Sequence, residues 1–175
     1  MNTKLLFRNV GRFVLLMLIQ VLVLNNVYLG GYINPCLYLL IVAMLPTDLG
    51  KIATLIVAFA TGLTADVFTN MLGFNAFACT AMGFVKVVWA DKILLRDSDD
   101  AIETPNIYSV AYQQYMVYLF VLLFTFFVLY YLLMTFSFHN FVDTLISAVL
   151  STVVTWVLAI LYQTLMFRKT KTVKR

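Results

Sequence analysis

Charge is scarce in this chain. Only 11% of its 175 residues are Asp, Glu, Lys or Arg, against about 25% in a soluble domain. That leaves too little polar surface to cover a water-soluble globule, which excludes most soluble enzymes and binding modules. Histidine occurs once and cysteine twice. There is no CxxC pair and no Cys/His cluster, so metal ligation has no basis. Cys36 and Cys79 sit in apolar context and read as small buried hydrophobes. Gly-x-Ser-x-Gly and His-Glu-x-x-His are both missing. A nucleophile also needs a neighbouring base, and the lone His139 lies between two apolar runs. The net charge of +4 comes without a basic patch interleaved with exposed aromatics, so no nucleic-acid partner and no cofactor is expected.

What the chain has instead is apolar sequence: 63% hydrophobic residues and a mean hydropathy of +0.94. Crossing a bilayer takes about 20 such residues as helix. The runs predict an all-α bundle of six transmembrane helices in a single domain over residues 1–175. The spans are near 13–29, 32–45, 52–69, 73–89, 112–136 and 141–167. The N-terminal run has no small-residue cleavage site and reads as an uncleaved first helix. Span 2 is short, with an unbroken apolar core from Cys36 to Leu45, and is the one span that could instead be re-entrant.

With six crossings all twelve Lys and Arg residues fall on one side. Lys4, Arg8 and Arg12 precede span 1, and Lys51 lies between spans 2 and 3. Lys86, Lys92 and Arg96 lie at the end of span 4 and in the loop 90–111, and five basic residues fill the tail 168–175. The positive-inside rule makes that side cytoplasmic, so both ends are inside. The opposite connections, Gly30-Gly31, Asn70 to Leu72 and Ser137 to Asn140, carry no Lys or Arg. In the large loop, Thr104-Pro105 reads as a helix start. Tyr108, Tyr112, Tyr115 and Tyr118 then read as an interfacial aromatic belt.

Asp66, late in span 3, is the costliest residue. An ionised carboxylate in a span costs on the order of 3 kcal/mol, so it should face the bundle and find a partner. Asn70, Asn75, Asn25 and Asn26 are the candidates. The reading favoured is a hydrogen bond that locks helix packing, with a substrate or proton site as the alternative. Asp143 fits a loose capping box, Asn140 to Asp143, at the start of span 6. Small residues on spans 3, 4 and 6 suit close helix contact. They include Ala58, Gly62 and Ala65, then Gly73, Ala76, Thr80 and Gly83, then Ser147, Ser151, Thr155 and Ala159. Phe120, Phe124, Phe127 and Tyr131 form a bulky ridge on span 5, facing lipid or a partner helix.

Gly62-Leu63-Thr64-Ala65-Asp66-Val67-Phe68 followed by Gly73-Phe74-Asn75-Ala76-Phe77 resembles the MreD family of bacterial rod shape-determining membrane proteins. Asn34-Pro35 and Leu45-Pro46, bracketing span 2, are similar to that pattern too. The resemblance implies a fold like the substrate-binding subunits of energy-coupling-factor transporters. It also implies a cytoplasmic-membrane location and a non-enzymatic scaffold role in peptidoglycan synthesis during elongation. The implied partners are an MreC-like protein, RodA, a class B penicillin-binding protein and MreB. Gly62, Asp66 and Gly73 match the motif, with no catalytic role attached. Asn70, Asn75, Ser147, Ser151, Phe120, Phe124 and Phe127 join them as structural or docking candidates. The alternative is a vitamin-transporter subunit of the energy-coupling-factor type. Those typically carry Ala-x-x-x-Ala in the first helix, and span 1 has no alanine.

Overall fold

The computed structural model describes residues 3–24, 33–71, 73–90, 92, 102, 105–135 and 141–166. Its helices are α1 (Thr3–Leu22), α2 (Leu39–Ala43), α3 (Lys51–Thr69), α4 (Phe74–Val85), α5 (Tyr112–Thr135) and α6 (Phe141–Met166). A π-helical turn, Lys86–Ala90, extends α4. Helices α3, α5 and α6 are each long and apolar enough to cross a membrane. At 1.5 Å per residue they measure about 28, 36 and 39 Å, against a hydrocarbon core of about 30 Å.

Helices α3 and α4 form a tight hairpin because glycine lets the backbones touch. A Cβ on Gly83 would lie 2.8 Å from the Ala58 Cβ, and Gly62 sits directly against the first turn of α4. Helix α5 runs through the centre. Its Tyr115, Tyr118, Leu119, Leu122, Phe126 and Phe127 are all buried. Phe126 meets Tyr38 edge-on at 6.2 Å and stacks on Tyr130 at 5.7 Å. At one end of the bundle, Thr47 and Ile102 exchange two hydrogen bonds, and Gln163 Oε1 accepts from the Ile107 N–H. Gln163 also bonds the Tyr115 hydroxyl. At the other end Thr144 bonds Thr135 at 3.1 Å.

Several sequence expectations need correction. Span 2 is not one helix: among the described residues 33–45 only Leu39–Ala43 is α-helical, and Ile33 to Cys36 are not. The pre-proline position disfavours helix at Asn34, and Pro35 has no N–H to give. Helix α1 starts at Thr3, so Lys4, Arg8 and Arg12 lie inside it rather than before it, and it ends at Leu22. Pro105 does not open a helix; a turn covers Ile107 to Ser109 and α5 begins at Tyr112. Tyr115 and Tyr118 are core residues, not belt, although Tyr108 and Tyr112 are exposed. Phe127 and Tyr131 face inward, leaving Phe120 and Phe124 as the outward part of the ridge. An all-apolar helix gives no periodic signal of its inner face, and the inner face of α5 is set by what packs on it. Lys86 is fully buried, its ammonium 5.6 Å from the Tyr118 ring centre, instead of at the cytoplasmic surface. Asn25, Asn26, Gly30, Gly31, Leu72, Thr104, His139, Asn140, most of the loop 90–111 and the basic tail lie outside the described residues.

Candidate functional site

Helix α3 ends at Asn70, which adopts the left-handed conformation with φ 52° and donates its N–H to the Asp66 carbonyl. The chain then turns through Gly73, with φ 86°, into α4. Gly73 occupies the N-cap position and has no side chain with which to cap. The first N–H groups of any helix need outside acceptors. Asp66 supplies them from the preceding helix.

Its Oδ1 accepts from the Asn75 N–H at 3.1 Å and from Asn75 Nδ2 at 3.0 Å, and its Oδ2 accepts from the Ala76 N–H at 2.9 Å. The carboxylate therefore caps α4 across the turn, and the positive end of the helix dipole favours its charge. Asp66 is 3% exposed, so these donors are what make its burial tolerable. A carboxylate that only accepts also fixes the Asn75 amide: the NH₂ faces Asp66, leaving Oδ1 to accept from the Tyr38 hydroxyl at 2.9 Å. Thr69 Oγ1 accepts a longer bond from Asn75 Nδ2 at 3.4 Å.

Gly62 makes this geometry reachable. A Cβ there would lie 2.4 Å from the Asn75 carbonyl oxygen and 2.6 Å from the Ala76 Cα. Gly62 is one turn before Asp66, so the helix end that rests on the glycine also presents its N–H groups to the carboxylate. The Gly-x-x-x-Asp spacing has this physical purpose.

Tyr38 ties the hairpin to the non-helical segment, which has its own ligands. Ser151 Oγ accepts from the Asn34 N–H and Thr155 Oγ1 from the Cys36 N–H, each at 3.1 Å. Gln20 clamps the next step: Oε1 accepts from the Leu37 N–H at 2.8 Å, and Nε2 donates to the Pro35 carbonyl at 3.0 Å. Tyr131 shares a 2.9 Å bond with Ser151. Ser151 and Thr155 are one α-helical turn apart, about 6 Å, and two residues of the segment match that distance. The segment is therefore extended there and runs in the same direction as α6. Buried backbone N–H groups need partners, and here side chains of α1 and α6 supply them.

The sequence candidates thus divide. Gly62, Asp66, Gly73 and Asn75 come together at one locus, with Asn70 closing α3 beside it. Ser151 joins that locus through the extended segment, and its stripe serves backbone hydrogen bonding as much as helix packing. Ser147 is buried on the same stripe. Phe120 and Phe124 stack 6.0 Å apart on the outside, away from the locus. Gln20, Tyr38 and Thr155 are the participants that sequence reading did not place there. Among them only Thr155 had a signal, its step of four from Ser151. Comparison with known protein families, curated proteins and solved structures finds no match.

Proposed function

We propose that this protein is a non-enzymatic, multi-pass scaffold of the bacterial cytoplasmic membrane, serving cell elongation as the MreD-like motif implies. In this reading both ends face the cytoplasm, and the chain crosses six times. Its outward helix faces dock an MreC-like protein and the wall synthases. The observation that carries the reading is the state of Asp66. Both carboxylate oxygens are taken up by α4 and Asn75, so its role is to hold the hairpin rather than to meet a substrate. The cavity beside Asn75 and Asn34 is about 20 Å³, room for roughly one water. A vitamin-sized ligand needs about 300–1,000 Å³, which counts against the transporter alternative.

The extended segment supports the crossing count. As α-helix, residues 32–45 would cover about 21 Å, too little for the core. Extended residues advance about 3.3 Å each, so the non-helical stretch Ile33 to Cys36 lengthens the reach beyond that of a helix. The segment pairs with Gln20 near the end of α1, and Tyr118 donates to the Ala43 carbonyl at 2.6 Å. It leads on to Thr47 at the end of the bundle that holds Ile102 and Gln163.

Affinity purification in mild detergent tests the assignment. An MreC-like protein should co-purify, and depletion should round rod-shaped cells. Recovery of an ATPase pair with a coupling subunit, or a vitamin requirement on depletion, would replace this reading with the transporter.

A further inference from the structure

We propose that the cavity where α1, the extended segment, the α3–α4 hairpin and α5 meet holds one ordered water molecule, which donates to Tyr38 and Thr69 and accepts from Asn34. A buried water needs about 10–15 Å³ of room and several polar partners. The cavity offers about 20 Å³, and Gln20, Asn34, Tyr38, Thr69, Asn75 and Tyr130 line it. Gln20, Tyr38 and Asn75 are all buried, so the site lies within the protein.

The donors and acceptors around the cavity orient the water. The Tyr38 hydroxyl spends its one proton on Asn75 Oδ1 at 2.9 Å. Thr69 Oγ1 spends its own on the Ala65 carbonyl, also at 2.9 Å. Each of these oxygens then has only lone pairs to offer. Thr69 receives one long bond, 3.4 Å from Asn75 Nδ2. Water is the smallest group with two protons to give, and it fits the volume. Its own oxygen takes an N–H of the Asn34 amide. Gln20 is committed to Leu37 and Pro35 and closes the site. Asp66 does not line the cavity, and its oxygens are held by α4 and Asn75, so no carboxylate is presented to a metal cation. The low dielectric of the interior strengthens the bonds the water makes. The water joins the extended segment to the hairpin a second time, beside the direct bond from Tyr38 to Asn75. The inference uses only the fold and stands apart from any role in wall synthesis.

X-ray hydroxyl-radical footprinting of the full-length protein in lipid nanodiscs tests it. Radiolysis turns a bound water into a hydroxyl radical in place, which oxidises the ring beside it. Tyr38 should be oxidised several-fold faster than Tyr118, which is also buried but does not line this cavity. Thr69→Val keeps the side-chain shape, removes an acceptor and should bring Tyr38 down to the rate of Tyr118. A wild-type Tyr38 as slow as Tyr118 overturns the proposal. So does fast oxidation of Tyr38 that Thr69→Val leaves unchanged, because bulk solvent would then be its source. A melting temperature that rises in sodium chloride over choline chloride at equal ionic strength, and loses that rise in Thr69→Val, also overturns it, because a cation would then fill the cavity.

Discussion

Gly62 lies so close to Asn75 that an added Cβ would come within 2.4 Å of the Asn75 carbonyl oxygen. The obstacle is backbone in the first turn of α4, which cannot swing aside as a side chain can. Gly62→Ala should therefore cost about 1–3 kcal/mol or more, outweighing the roughly 1 kcal/mol that alanine gains in an open helix. Gly11, in α1, has nothing within 4 Å of its Cβ position. There Gly11→Ala should be neutral or stabilising. Thermal unfolding of the two variants in the same detergent compares them directly, and equal effects would contradict the contact.

Asp66→Leu removes the acceptor for the Asn75 N–H, the Asn75 amide and the Ala76 N–H together. Each buried donor left unpaired costs about 1–3 kcal/mol, so this variant should fail to fold or assemble. Asp66→Asn keeps one acceptor oxygen and should fall between. Changes at Asp97, Asp99 and Asp100, outside the described residues, should alter stability by about 0.5 kcal/mol or less. Expression, melting temperature and cell shape read the series. Wild-type behaviour of Asp66→Leu would remove the capping role.

Ser151→Ala and Thr155→Val each take away the acceptor for one N–H of the extended segment. Each should cost about 1–3 kcal/mol, whereas Thr155→Ser should be tolerated. Hydrogen exchange gives a local reading. The Asn34 amide should exchange faster in the first variant and the Cys36 amide in the second. Unchanged protection at both would show that the hydroxyls do not hold the segment.

Sidedness is open to cysteine labelling, because Cys36 and Cys79 are both buried. Asp48 and Asp143 are exposed. Asp48→Cys should react with an impermeant thiol reagent only from the cytoplasm, and Asp143→Cys only from outside. Labelling of a cysteine in the tail 168–175 from the periplasmic side would reverse the topology.

The long helices α3, α5 and α6 were legible to within a residue or two, because apolar length alone defines them. The Asp66 locus was half legible. Its cost required a partner and Asn75 was among the candidates, but capping across a turn is a relation between two helix ends that spacing does not display. The extended segment was the hardest part. Leu37 to Leu45 is as apolar as any helix here, and the two clues lay apart: Asn34-Pro35 in the segment, and hydroxyls at a four-residue step more than a hundred positions later. Tyr115, Tyr118 and Phe127 were misplaced because α5 is apolar all round, and Lys86 because a charge near a span end ordinarily reaches water.

The clamp on Asn34 and Cys36 comes from a helix synthesised more than a hundred residues later. Until Ser151 and Thr155 leave the ribosome, the Asn34 and Cys36 amides lack their acceptors. The clamped segment can close onto the bundle only after translation of α6. A truncation that removes α6 would disturb the segment at Asn34 to Cys36 as severely as it disturbs the helices packed on α6.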